Sequence, residues 1–279
     1  MTRVNGKSPV TAPDFDSGAV TVAYVHGNHE YGDLVTHSWH VSLTELVAWD
    51  MSHEMRVIRG GWIAVRCGTD GLVEARNKAI IEFLRDRNSE WLCWIDTDMG
   101  FEPDMIDRLV EATGASERKV IGALCFSWRE TKPDGMGGFR CEPRPTIFDW
   151  RTIGDETGFI GRRVYEPNAL MQCGGTGSAA ILIHRSVLLA ILDKFGPVWY
   201  DRIPNPTPGM DAKLIGEDLS FCMRVGAVGV PMFVHTGVPT THHKSAWVGE
   251  MDYMIYFAGQ NAMNEPSEPA EMPEVKANA

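Results

Sequence analysis

Two carboxylates, Asp96 and Asp98, stand one residue apart directly after the apolar run Trp91-Leu92-Cys93-Trp94-Ile95. Spaced i, i+2 across a turn, they can converge on one hard divalent cation that keeps part of its shell for substrate phosphates and water. The same residues can instead only end a strand through Asx-turns. Three further groups bear on that choice. Arg76-Asn77 puts a cation amid a helical stripe of Leu72, Ile80 and Phe83, where a charge needs a partner or an anion; a snorkelling arginine is the plainer alternative. Gly216-Glu217-Asp218 stands ahead of Leu219 and Cys222. Such acids suit a helix's first turn and equally a general base held at the edge of a site. His242-His243 follow the last apolar run. Adjacent imidazoles point different ways, so at most one of the two can be a ligand. An imidazole joining a carboxylate and a diphosphate moves the metal preference from Mg2+ towards Mn2+.

These groups must be held by regular elements, and the hydrophobic pattern supplies them. Val20–Val25 reads as a buried strand stopping at His26-Gly27-Asn28. Ser38 to Met51 has helical spacing, and Arg56 to Arg66 suggests a strand interrupted by Gly60-Gly61. Leu72–Arg85 is an amphipathic helix that Thr69 or Asp70 can cap. Trp91–Ile95 lacks alternation, as a strand covered on both faces does. A helix over Pro103–Ala112 and a strand over Val120–Phe126 follow. Residues 129–170 break the rhythm and suggest loops and short antiparallel strands laid over the sheet. Ser178–Ile183 and Val230–Val234 read as strands, with helices over Ser186–Phe195 and around Leu219–Gly226. Alternating strands and helices predict an α/β layer structure with a mainly parallel sheet flanked by helices.

Composition narrows the partners. The 279 residues carry a formal charge of −11, which disfavours broad binding to a nucleic acid backbone. Arg140, Arg144, Arg151, Arg162 and Arg163 can form a local basic patch, but Glu142, Asp149, Asp155 and Glu156 lie among them. No apolar run approaches a membrane span, and the N-terminus lacks the apolar core of a signal peptide. The six cysteines show no C-x-x-C spacing, so Cys93 and Cys222 read as reduced core thiols, and a cytoplasmic setting is expected. Residues 1–18 read as a flexible N-terminus and 264–279 as a disordered acidic tail. One domain is then expected over 19–263.

In their order, A-R-N-K-A at 75–79, W-I-D-T-D at 94–98, G-G-T-G-S-A-A-I-L-I at 174–183, G-E-D-L-S-F-C-M-R at 216–224 and T-H-H at 241–243 resemble the GT-A glycosyltransferases. The likeness is strongest to family-2-like enzymes and the compact forms encoded by bacteriophages, and it covers roughly residues 20 to 245. It implies a GT-A, Rossmann-like fold and transfer of a sugar from a nucleotide-sugar, typically UDP-linked, to an acceptor hydroxyl. It implies that Asp98 and His242 ligate Mn2+ or Mg2+, with Asp96 on the metal or the ribose. Asp218 would be the base of an inverting reaction, with Glu217 orienting the acceptor. Tyr24 to His26 and Arg76-Asn77 would line the base and ribose pocket, and Gly175-Thr176-Gly177 the sugar or acceptor. The stretch 129–170 matches nothing well and corresponds to the variable acceptor side.

The acceptor is left open among a protein side chain such as one of a virion, a modified DNA base, and a glycan or lipid. Rival readings are a nucleotidyltransferase, which would usually carry a basic Gly-rich phosphate loop near its N-terminus, and a non-catalytic nucleotide-sugar-binding module.

Overall fold

The computed structural model describes residues 15–27, 34–133, 139–207, 209 and 214–244. Along the chain run β1 (Asp16–His26), α1 (His37–Ser52), α2 (Arg56–Gly60), β2 (Trp62–Arg66), α3 (Leu72–Asp86), β3 (Ser89–Ile95), β4 (Met99–Phe101), α4 (Met105–Ala112) and β5 (Val120–Leu124). The hairpin β6 (Phe126–Pro133) and β7 (Phe139–Pro145) follows, then β8 (Ile147–Ile153), β9 (Glu156–Gly161), β10 (Leu170–Cys173) and β11 (Gly175–Thr176). The last third holds β12 (Ala180–His184), α5 (Arg185–Phe195), β13 (Ile203–Pro204), β14 (Leu214–Ile215), α6 (Glu217–Ala227) and β15 (Met232–His242).

The central sheet has the order β10-β15-β5-β12-β3-β1-β2, with β4 added to the end of β15. Strands β1, β2, β3, β5 and β15 run one way, and β12, β10 and β4 run against them. The protein is thus α/β with a mainly parallel sheet flanked by helices. Successive residues of β3 feed opposite faces. Leu92 and Trp94 pack with Ala79, Ile80 and Phe83 of α3, Leu188 and Ile191 of α5, and Phe221 of α6. Trp91, Cys93 and Ile95 pack with Trp39 and Leu46 of α1, Val57 of α2, and Leu109 of α4. Both faces are covered, which is why the strand sequence shows no polar alternation. Cys93 and Cys222 are both buried free thiols.

Several boundaries differ from the pattern reading. Strand β1 starts at Asp16, inside the segment expected to be flexible; residues 1–14 and the expected tail 264–279 lie outside the described residues. Arg56–Arg66 is a short helix followed by a strand, because Asp50 at the end of α1 accepts the Val57 and Ile58 N–H groups and starts a turn there. Gly60 ends that turn where the chain crosses β1; an added Cβ would lie 2.1 Å from the Val20 carbonyl oxygen. Helix α3 starts after Gly71, whose φ is +92°, with no side-chain cap; Asp70 pairs with Lys78 instead. Strand β15 runs eight residues past Val234, through a register shift after His235. The small sheet β11-β8-β9 and the β6–β7 hairpin fill the stretch that broke the rhythm.

Two buried polar groups fasten the edge of the sheet where β3 begins. The Arg185 guanidinium donates to the carbonyls of Phe83, Leu84, Arg87 and Ser89 and lies 4.4 Å from the Phe83 ring centre. It satisfies the last carbonyls of α3 and the negative end of its dipole. His184 accepts the Ser186 N–H through Nδ1, capping α5, and donates from Nε2 to Glu90 Oε1 at 3.2 Å. Burial would raise the Glu90 carboxyl, but the Gly18 N–H, Ser116 and His184 hold it below its usual range. Burial pushes His184 below its ordinary 6.5 in spite of Glu90.

Arg185→Met should cost about 3 kcal/mol by orphaning buried carbonyls. A melting temperature roughly 6–12 °C lower would register it, and an unchanged one would refute the capping role. His184 binds a proton more readily in the unfolded chain than in the native one, so stability is lost as pH falls below 6.5. The fall in melting temperature between pH 7 and 5.5 should therefore be smaller in His184→Gln.

Candidate active site

Ends of four central strands meet at one edge of the sheet, and the charged residues of the sequence motifs collect there. Ile95, the last residue of β3, pairs with Ala180, the first of β12, so Asp96 follows just beyond the sheet. Its N–H donates to the Ala179 carbonyl at 2.8 Å. The chain turns through Thr97 and Asp98 into β4, which pairs with the far end of β15 in the register Met99 to His242. That register carries His242 to Asp98, 144 residues away in sequence.

His242 Nδ1 lies 2.7 Å from the Phe126 carbonyl, which can only accept, so this nitrogen carries a proton. Nε2 faces Asp98 Oδ2 at 3.0 Å. Burial disfavours the imidazolium, but the hydrogen bond and charge of Asp98 outweigh it and raise His242 above its ordinary value. Burial likewise works against ionised Asp98; His242 and Lys244, whose Nζ is 2.9 Å from Oδ2, bring its carboxyl down to about 2. His243 donates its backbone N–H to the Asp98 carbonyl at 2.8 Å; its exposed side chain also lines the cavity beside Asp98, but it is His242 whose ring is bonded to Asp98.

Arg76 lies beneath this turn, 2% exposed. Nη2 donates to Asp96 Oδ1 at 3.2 Å and stands 3.8 Å from Asp218 Oδ1. The rings of Trp94 and Tyr200 lie 5.2 and 5.3 Å from its central carbon. Burial opposes the guanidinium's charge, yet Asp96 and Asp218 hold its pKa above the usual value. Asp96 is raised by burial in spite of Arg76, with Asp218 and Asp98 adding to the effect. Asp218 comes from the first turn of α6; its Oδ1 is buried and makes no hydrogen bond. An added Cβ on Gly177 would lie 3.8 Å from Asp218 Oδ2, so that glycine keeps the carboxylate's flank open.

Arg76, Asp96, Asp98 and His242 open onto a cavity of about 880 Å³. Val25, Leu34, Val35 and Leu72 supply apolar side chains to its lining, together with Thr36, His37 and Ser38 at the start of α1. Tyr24, His26, Asn77, Gly175, Thr176, Gly177 and Glu217, also singled out in the sequence, are not among its lining residues. Tyr24 turns away from Val25 to pack on Trp39, with the His26 ring beside it. Asn77 accepts the N–H groups of Trp199 and Tyr200 and donates to the Tyr200 carbonyl, fixing a loop. Gly175 and Thr176 are packed against Cys222 of α6, and Glu217 lies 3.9 Å from exposed Arg202. Lys244, Tyr200 and the start of α1 were not singled out from sequence. Only the lysine beside the two histidines carried a signal.

A divalent cation is the group that the motifs imply here, and the donor set can be compared with it. Among the described residues, no three His, Cys, Asp or Glu side chains converge as a complete ligand set. Asp98 and His242 do converge, whereas Asp96 is turned to Arg76. The His242 proton held on Nδ1 leaves Nε2 as the coordinating atom, as a carbonyl partner does for metal-bound histidines. One carboxylate and one imidazole fit Mg2+ or Mn2+ that fills its shell with phosphate and water.

Arginines among residues 140–163 are paired with acids. Arg144 pairs with Glu142, and Arg151 and Arg162 both pair with Asp149. No helix among the described residues is long and apolar enough to cross a membrane.

No family model and no curated protein matches this chain. Among solved structures, it is similar to A197 from STIV, with 14% identity and a TM-score of 0.44 over 81% of this chain and 86% of that one. It is also similar to GalNAc-T7 with UDP, GalNAc and Mn2+, with 9% identity and a TM-score of 0.48 over 82% of this chain. The match covers 43% of that chain, so this protein spans under half its length. Neither likeness is close enough to carry a residue's role across.

The geometry separates the two adjacent histidines. His242→Ala should abolish Mn2+ binding followed by electron paramagnetic resonance, and His243→Ala should retain it. The reverse result would move the ligand to His243.

Proposed function

We propose that this protein is a glycosyltransferase of the GT-A type, moving a sugar from a nucleotide-sugar, UDP-linked in the first instance, to an acceptor hydroxyl. The observation that carries the reading is the meeting of two neighbouring clusters, Asp96 and Asp218 on buried Arg76 and Asp98 on His242, with all but Asp218 lining one cavity. These are the residues of the motifs that resemble the family. The cavity suits the donor's two halves, with apolar side chains for a flat base and a cationic, metal-ready end for a diphosphate.

Asp98 and His242 would hold Mg2+ or Mn2+, which when bound supplies positive charge to the leaving diphosphate. Asp218 accepts the proton of the attacking hydroxyl. Its Oδ1 is buried towards Arg76, and Oδ2, on the Gly177 side, is the oxygen that would take the proton. The acceptor oxygen bonds to the anomeric carbon as the bond to the diphosphate oxygen breaks, and the nucleoside diphosphate leaves with that electron pair. Attack from the face opposite the leaving group inverts the anomeric centre. Arg76 holds Asp96 and Asp218 together and lets two carboxylates stay close in a half-buried site. Glu217, in the same turn as Asp218, would orient the acceptor. A protein hydroxyl is the acceptor we favour, because the net charge of −11 and the paired arginines do not suit a nucleic acid backbone.

Nucleoside diphosphate release from a panel of nucleotide-sugars, with Mn2+, Mg2+ or EDTA, tests this. One donor should be turned over, and EDTA and Asp98→Ala should each stop the reaction. With that donor, Asp218→Asn should lower turnover roughly 10²- to 10⁴-fold while still binding it. A panel in which no donor is hydrolysed and none raises the melting temperature would sink the proposal.

A further inference from the structure

The oxygen that would coordinate a divalent ion already has a cation on it. Lys244 Nζ lies 2.9 Å from Asp98 Oδ2, the same atom that faces His242 Nε2 at 3.0 Å. An ammonium hydrogen-bonded to that oxygen takes up one of its lone pairs and competes with a divalent ion for the same carboxylate. Two cations there would repel strongly in a partly buried site. The backbone is fixed on both sides of the contact: His242 is the last residue of β15, and the His243 N–H is bonded to the Asp98 carbonyl. The lysine side chain, 38% exposed and lining the cavity, can swing without it.

We propose that Lys244 is a resident cation of the site, holding Asp98 in place of a divalent ion and releasing it when a diphosphate offers the ammonium another anion. This rests on the reading that Asp98 and His242 bind a metal. A free metal ion then has to displace the lysine unaided, whereas an ion arriving with a diphosphate meets an ammonium that already has somewhere to go. Metal and diphosphate therefore bind with positive coupling, and each strengthens the other by the same factor. Lys244 is a positioning residue in this scheme, and its contribution is read in binding rather than in turnover.

Mn2+ binding to the full chain, measured by electron paramagnetic resonance of the free ion, separates the possibilities. Lys244→Met should bind Mn2+ at least about tenfold more tightly than the wild type, a free-energy change of about 1.4 kcal/mol. Lys244→Arg, which keeps a cation at the contact, should remain weak, and Asp98→Asn should not bind. Lys78→Met, the same charge change at an exposed lysine on α3, controls for net charge and should move affinity less than twofold. UDP titrated with Mn2+ and with EDTA should gain more affinity from the metal in the wild type than in Lys244→Met. Equal Mn2+ affinity in wild type and Lys244→Met, both abolished by Asp98→Asn, would overturn the exchange and leave the metal site standing. Equal coupling to UDP would overturn it likewise. No Mn2+ binding by either folded protein would overturn the exchange together with the metal site beneath it.

Discussion

A guanidinium with almost no access to water sits at the centre of this structure. Taking an arginine out of solvent is costly unless its charge and its donors are met; several elements supply partners to the terminal nitrogens of Arg76, while its buried Nε makes no hydrogen bond. β3 contributes the Trp94 ring and, one residue on, Asp96; α6 contributes Asp218; the strand entry before β12 contributes the Ser178 carbonyl at 3.5 Å. Tyr200 lies over the guanidinium and donates to Ser178 Oγ, while the neighbouring Asn77 ties the Trp199–Tyr200 backbone to α3. The loop after α5, the start of α6 and the edge of the central sheet are therefore arranged about one charge. Two carboxylates that repel each other share it, which is how acid groups from distant parts of the chain come to stand together.

Much of this was legible in the sequence because the buried elements have few alternatives. Five apolar residues in a row before Asp96 can only be covered on both faces, so the strand and the edge at which the carboxylates emerge followed together. Arg76 was conspicuous because a charge stood where the helical stripe required an apolar residue. The likeness to a known family joined these segments before any distance was available. It also ordered Asp218 and His242 relative to them.

What was missed depends on contacts between residues far apart in the chain. The helix at Arg56 is set by Asp50 capping it and by the close pass of Gly60 over Val20, neither of which leaves a local period. Strand β15 reads as a short apolar run because, past the register shift, its buried positions are filled by Thr236, Gly237, Val238 and Thr240 and not by an unbroken apolar series. That same extension carries His242 to Asp98. Asn77 and Gly175 make long-range contacts of the same kind, Asn77 to the Trp199 and Tyr200 N–H groups and Gly175 against Cys222.

Residues 174 to 180 belong to two sheets in immediate succession. Gly175 and Thr176 pair with β8 in the small sheet, and Ala180 already pairs with Ile95 in the central one. Thr176 also rests on β5 at Gly122, where any larger residue would crowd it. Between these two anchorages lie Gly177, against Asp218, and Ser178, whose carbonyl faces Arg76. Three residues alone separate the pairing of the outer layer from that of the central sheet, and they stand beside the carboxylate and the guanidinium, so the small sheet and the charged centre are built on one short stretch of backbone.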